Sequence, residues 1–95
     1  MHETGTIRDL VRRLEQAAQS AGARRVSGVR VWLGALTLFS AEHFREHFAV
    51  ETRGTIVEGA TLQIDLSDDV VHPNAQNVMI SSIDLEVPRG VHGVS

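Results

Sequence analysis

From Thr4 to Ala21 the apolar residues Ile7, Leu10, Val11, Leu14, Ala17, Ala18 and Ala21 recur at the three- and four-residue spacing of one helix face. Arg8, Arg12, Arg13, Glu15 and Gln16 fall largely off that stripe. The spacing predicts an amphipathic helix over residues 4–21, with Thr6 and Asp9 placed as a capping box and Gly22 as its stop. From Val26 to Gly34 the period drops to two. Val29, Val31 and Leu33 share one face and Arg30 and Trp32 the other, which predicts a strand. Ser40 then caps a second helix, AEHFREHFAVET, anchored by Phe44 and Phe48 at i, i+4 and ended by Arg53-Gly54. Alternation returns over Ala60–Ser67, with Leu62, Ile64 and Leu66 against Thr61, Gln63 and Asp65. The stretch 67–77, SDDVVHPNAQN, is rich in turn formers and predicts a loop. Val78–Val87 predicts a last strand. Its apolar parity runs Val78, Ile80 and then Ile83, Leu85, Val87, so the slip at Ser81-Ser82 predicts a β-bulge.

The predicted order is α-β-α-β-β. Two helices packed on one face of a three-stranded sheet make a two-layer α+β domain. A chain of 95 residues has room for one such domain, expected over residues 1–88, with a flexible tail over 89–95.

Composition narrows the function classes. The chain has no cysteine, which excludes disulfides and any thiolate zinc site within it. A bound metal would therefore use imidazole, carboxylate or backbone donors, a set that suits nickel or copper. A net charge of -3 and 4% aromatic residues speak against nucleic acid as a partner. There is no apolar run long enough to span a membrane and no signal-peptide layout at the start, so a cytoplasmic location is expected. No Gly-x-Ser-x-Gly elbow, cysteine nucleophile or phosphate-binding glycine loop is present, so the chain is not expected to be an enzyme.

Several residues are candidates for metal chemistry. His2 stands directly behind Met1, so an amine, an amide nitrogen and an imidazole lie close together along the chain. His43 and His47 are spaced i, i+4 on the second helix, a spacing that can grip a metal, although the sequence HFREH lacks the HExxH pattern. The bland alternative is a pair of partly exposed helix histidines. Asp68, Asp69 and His72 form an acidic loop whose bland reading is a solvated surface. Trp32 belongs either to the core under the helices or to an association surface on the bare sheet face, where it would favour a partner or a homodimer. Arg8, Arg12 and Arg13 read as a solvated face.

Three stretches, in this order and spacing, carry a resemblance to a known family: MHE at the start, VSGVRVWLGAL in the middle and TRGTIVEGATLQI after the second helix. The chain resembles the hydrogenase nickel-incorporation family (HypA/HybF), small metallochaperones that deliver Ni(II) during maturation of [NiFe]-hydrogenase and, in some members, of urease. The resemblance runs from Met1 to about Val87. It implies a nickel site at the N-terminal Met1-His2-Glu3, with the Met1 amine, the His2 amide nitrogen and the His2 imidazole as donors. Ni(II) tolerates such a square-planar nitrogen set. Glu3 would complete the plane through its amide or orient the start through its carboxylate, and His43 or His47 is a further candidate ligand. The resemblance implies as partners a hydrogenase large subunit or other nickel enzyme and a nickel-handling, HypB-like GTPase.

The chain departs from that family at Thr4-Gly5-Thr6, which replaces a more apolar stretch, and above all between its last two strands. Members carry a zinc domain with two Cys-x-x-Cys pairs between the last two strands, whereas here only SDDVVHPNAQN joins them, so no zinc is expected. HPNAQNVMI resembles a remnant of the second half of the insert, with His72-Pro73 where Cys-Pro would stand. Two rival readings follow. One is an interaction module or accessory subunit that has lost metal delivery and docks through a sheet edge or the Trp32 face. The other is a metal sensor or store that uses His2, His43, His47 and His72 together.

Overall fold

The computed structural model describes residues 3–88. Five elements follow one another: α1 (Glu3–Ser20), β1 (Arg25–Leu33), α2 (Ala41–Glu51), β2 (Thr61–Leu66) and β3 (Val78–Glu86). This is the predicted α-β-α-β-β order. The sheet order is β2-β1-β3, with β1 in the centre, parallel to β2 and antiparallel to β3. The parallel pair requires a crossover, and α2 supplies it. The predicted tail over 89–95 lies outside the described residues.

The helical stripe of α1 is buried as its spacing demands: Ile7, Leu10, Val11, Leu14 and Ala18 all face the core. Gly22 adopts φ 71°, and the Ala23 amide reaches back to the Ala18 carbonyl at 2.8 Å while the Gly22 amide bonds Gln19 at 3.1 Å. These are the two hydrogen bonds of a Schellman stop. The start differs from expectation. Because α1 begins at Glu3, Thr6 is already inside the helix and no capping box forms there; Asp9 pairs instead with Arg12 at 3.6 Å. In α2 the Ser40 hydroxyl accepts the His43 amide at 3.0 Å, so that cap forms as predicted. Phe44 and Phe48 stack with ring centroids 6.1 Å apart, and Phe39 meets Phe44 edge-on at 5.4 Å. Together with Val26, Val31, Leu33 and Val57 these residues fill the layer between helices and sheet.

Two bulges shape the sheet. Arg30 pairs with Ser82 and Val31 with Ile80, so Ser81 is the extra residue, as the parity slip predicted. A second bulge was not predicted. Val26 pairs with Leu85 and the next pair is Gly28 with Asp84, which leaves Ser27 over. It lets Val26 and Val29, of opposite parity, both turn inward and become buried.

The loop 67–77 folds back across the end of β1. The Gly34 amide bonds the Asn77 carbonyl at 3.0 Å, and the Leu36 amide bonds Ala75 at 2.7 Å. A Cβ at Gly34 would overlap the backbone of Ala75 and come within 2.6 Å of the Asn74 carbonyl oxygen. Only glycine permits that approach.

Candidate metal centre

β1 ends, and β3 begins, at the pole where α1 starts. Thr6 and Arg13 of α1, Phe39 of the β1–α2 connection, Asn74 and Asn77 of the 67–77 loop and Met79 of β3 line a cleft of about 540 Å³ there. The sequence offered no signal for this cleft, because its walls come from three separated stretches of the chain. Leu38, 82% exposed, stands on the rim with Met79 and gives the pole an apolar border. Such a border is a feature of surfaces that meet partners.

Met1 and His2 lie outside the described residues. Glu3 is the first residue of α1. Helix rise sets Glu3 about 7.5 Å along the axis from Arg8. Arg8 in turn is tied to Glu51 at the end of α2, Nε to Oε1 at 3.3 Å. His43, His47 and Glu51 succeed one another at i, i+4, i+8, so they form one column on α2, and Arg8 joins the opening turns of α1 to that column. The imidazoles of His43 and His47 stack with centroids 4.5 Å apart and planes 19° from parallel. Ring-nitrogen lone pairs lie in the ring plane, so in these rotamers the two sets run side by side, and chelation of one ion by both requires a ring to turn. Phe39 flanks His43 edge-on at 6.2 Å.

His72 is elsewhere. It lies against Trp32 at 4.9 Å, on the face of the sheet opposite the helices, and its Nδ1 accepts the Asn74 amide at 2.9 Å. That hydrogen bond uses one ring nitrogen as an acceptor and leaves Nε2 to carry the proton of the neutral ring. The sheet therefore separates His72 from His43 and His47, and the arrangement in which all these histidines share one store does not form. Asp69 is absorbed in turn geometry: its amide donates to Ser67 Oγ and its carboxylate accepts the Val71 amide, both at 3.1 Å. Among the described residues no three histidine or carboxylate side chains gather into a metal cage.

Trp32 also finds its place. Its neighbours Val31 and Leu33 are buried inward, and Trp32 is half-buried on the outer face with His72, Met79, Ile80 and Ser81 around a pocket of about 250 Å³. Of the two placements open in the sequence, the outer face is the one adopted.

The family model for hydrogenase/urease nickel incorporation, metallochaperone, hypA matches residues 1–87. Hydrogenase maturation factor HypA of Archaeoglobus fulgidus is 36% identical over 66 residues, which cover 70% of this chain and 60% of that protein. Hydrogenase maturation factor HypA of Klebsiella pneumoniae subsp. pneumoniae is 41% identical over 64 residues, 67% of this chain and 56% of that protein. The chain thus spans a little over half the length of these curated relatives. The solution structure of the Ni metallochaperone HypA from Helicobacter pylori superposes with a TM-score of 0.77 at 18% identity, covering 93% of this chain and 100% of that one. At that identity the likeness concerns the fold.

Proposed function

The chain belongs to the HypA nickel-incorporation family, and we propose on that premise that it is a nickel carrier loading Ni(II) at Met1-His2-Glu3 and passing it to a hydrogenase or another nickel enzyme. The family is one of metallochaperones and maturation factors, not of catalysts, so the nickel ion is cargo. The observation that carries the reading is the extent of the match, which includes the first three residues.

In this proposal the Met1 amine, the His2 amide nitrogen and the His2 imidazole bind the ion. The Glu3 amide or His47, on the α2 column linked to α1 through Glu51 and Arg8, supplies a further donor. Amide nitrogens ligate only when deprotonated, so protons compete with the ion and affinity falls as pH falls. A carrier needs a site that can let go, and an open terminus meets that need better than a closed cage. Handover would take place at the pole bearing the cleft, against the large subunit of the recipient enzyme, with a nickel-handling GTPase as the second partner. The compact 67–77 loop stands where the resemblance places a zinc domain, so docking would rest on the nickel domain alone. No helix among the described residues is long and apolar enough to cross a membrane.

The test is a calorimetric and visible-absorption titration of Ni(II) into protein with a free Met1 amine, beside His2→Ala and a form extended by a few residues at the N-terminus. One ion per chain with a square-planar spectrum, abolished in both controls, is the expected result. Equal weak binding in all three would sink the metal reading and leave the interaction module.

A further inference from the structure

The two edges of the sheet are unlike. β2 is six residues long, and Arg45 from α2 reaches over it to donate from Nη1 to the Leu62 carbonyl at 2.9 Å. β3 is nine residues long. The Arg24 amide donates to the Glu86 carbonyl at 2.7 Å and the Ser27 hydroxyl to the Asp84 carbonyl at 3.2 Å, both on the β1 side. Among the described residues no side chain caps its outer edge. Edge strands are normally guarded by lysine, proline or a charge pointing inward. The stretch Val78–Glu86 has no lysine, no arginine and no proline, and its two acids, Asp84 and Glu86, point outward. Its inward residues Val78, Ile80, Ile83 and Leu85 are only half-covered by the helices, whereas Val29, Val31 and Leu33 on β1 are 3% exposed or less.

We propose that β3 pairs antiparallel with β3 of a second copy of this chain, joining two three-stranded sheets into one of six strands. The strand's own pattern selects the register. A two-fold axis between Ser81 and Ser82 sets Ile80 against Ile83 of the second copy and Val78 against Leu85, all on the helix side. It sets Met79 against Asp84 on the outer side. Inward residues meet inward residues on both sides of the bulge, and the two Asp84 carboxylates are kept apart. The bulge at Ser81 falls on the axis, where both strands distort alike. Registers shifted by one residue place inward side chains against outward ones. Completing the edge hydrogen bonds and covering the exposed flank of four aliphatic side chains supply the driving force. Because β3 begins at the cleft-bearing pole, the antiparallel arrangement leaves the two clefts at opposite ends of the joined sheet, both open.

Sedimentation equilibrium from low micromolar to near-millimolar protein tests this, with two variants on exposed positions. Ser82 faces Arg30 within the chain and Ser81 of the second copy across the axis, with the second copy's Ser82 diagonal to it, so Ser82→Glu is compatible with the fold and brings two carboxylates together at the axis. The native chain is expected to reach twice its monomer mass, Ser82→Glu to remain at one, and Leu66→Lys on the β2 edge to dimerise like the native chain. The chain has no cysteine, so Met79→Cys combined with Asp84→Cys gives an independent readout: mild oxidation should yield a disulfide-linked dimer, and Met79→Cys alone should not. A native chain that stays monomeric throughout, a Ser82→Glu protein as dimeric as the native one, or a double cysteine variant that never cross-links would each overturn the proposal.

Discussion

β1 shows one strand serving two faces by different means. Inward, Val29, Val31 and Leu33 are buried in a continuous apolar layer against α1 and α2. Outward, Arg30 and Trp32 each meet a specific side-chain partner: the Asp65 carboxylate for Arg30, 2.8 Å from its Nε, and the His72 ring for Trp32 at 4.9 Å. The inner face gains its free energy from shared volume, so each residue there depends on many others. The outer face gains it from separate pairs. Damage to the inner face should therefore spread through the whole domain, and damage to the outer face should stay local.

Phe44 gives the most severe test. It is fully buried, stacked by Phe48 and met edge-on by Phe39. Phe44→Ala should cost about 4 kcal/mol, measurable by urea denaturation. In a small domain that loss approaches the whole stability. A loss below about 1 kcal/mol would mean that the inner layer can collapse around the gap, and the contrast between faces would fail.

Gly34 stands where the two faces end, and its effect should come second. Adding one methyl forces the Ala75 backbone away and strains the Leu36–Ala75 and Gly34–Asn77 hydrogen bonds. Gly34→Ala should cost about 2 kcal/mol, and hydrogen exchange should show faster opening of the 67–77 loop with the α1 amides little changed. Uniform acceleration across the domain would mean that the loop is part of the same cooperative unit as the core.

Third in size is the outer aromatic pair. Trp32 is the only tryptophan, so its fluorescence reports this face alone. His72→Ala should lower stability by about 1 kcal/mol, since aromatic pairs of this kind contribute about that much beyond area. It should also shift Trp32 emission to the red as water reaches the ring. An unchanged spectrum would show that the loop does not shield Trp32.

These effects also show which parts of the structure were legible in the sequence. The elements were, because each has one dominant period: the α1 stripe, the Phe44–Phe48 pair, and the parity slip that marks the Ser81 bulge. The Ser27 bulge left a similar trace, Val26 and Val29 being three apart in a strand, but only Ser27 and Gly28 stand between them and the clean alternation from Val29 onward hid it. The start of α1 was legible to within one residue, Thr4 against Glu3, but the Thr6–Asp9 capping pattern was not a cap, because such a pattern is a local signal and both residues lie inside the helix. Gly34 looked like the end of a strand. Its actual constraint, the Ala75 backbone, comes from a segment about forty residues on, and no local period encodes that. The cleft is hidden for the same reason. Of the candidate site, His43 and His47 fell together as their spacing required, while the separation of His72 depends on which face the loop crosses.

The smallest expected effect is electrostatic. Arg30 and Asp65 face each other across β1 and β2, with the guanidinium donating Nε and Nη2 to the two carboxylate oxygens at 2.8 and 3.3 Å. That hydrogen bonding holds the Asp65 carboxyl below its ordinary value and raises the Arg30 guanidinium above its own. Both side chains are about half exposed, so solvent and salt screen the pair. A carboxyl whose native value is depressed stabilises the fold above its unfolded-state value, and that contribution disappears as pH falls through the native value. Asp65→Asn should therefore melt slightly below the native protein from neutral pH down to about pH 5, and the gap should close on further acidification. Raised salt should narrow it at neutral pH as well. A gap that persists unchanged in acid and in salt would mean that Asp65 acts through packing, like an inner-face residue, and that the two faces of β1 are less different than their contacts indicate.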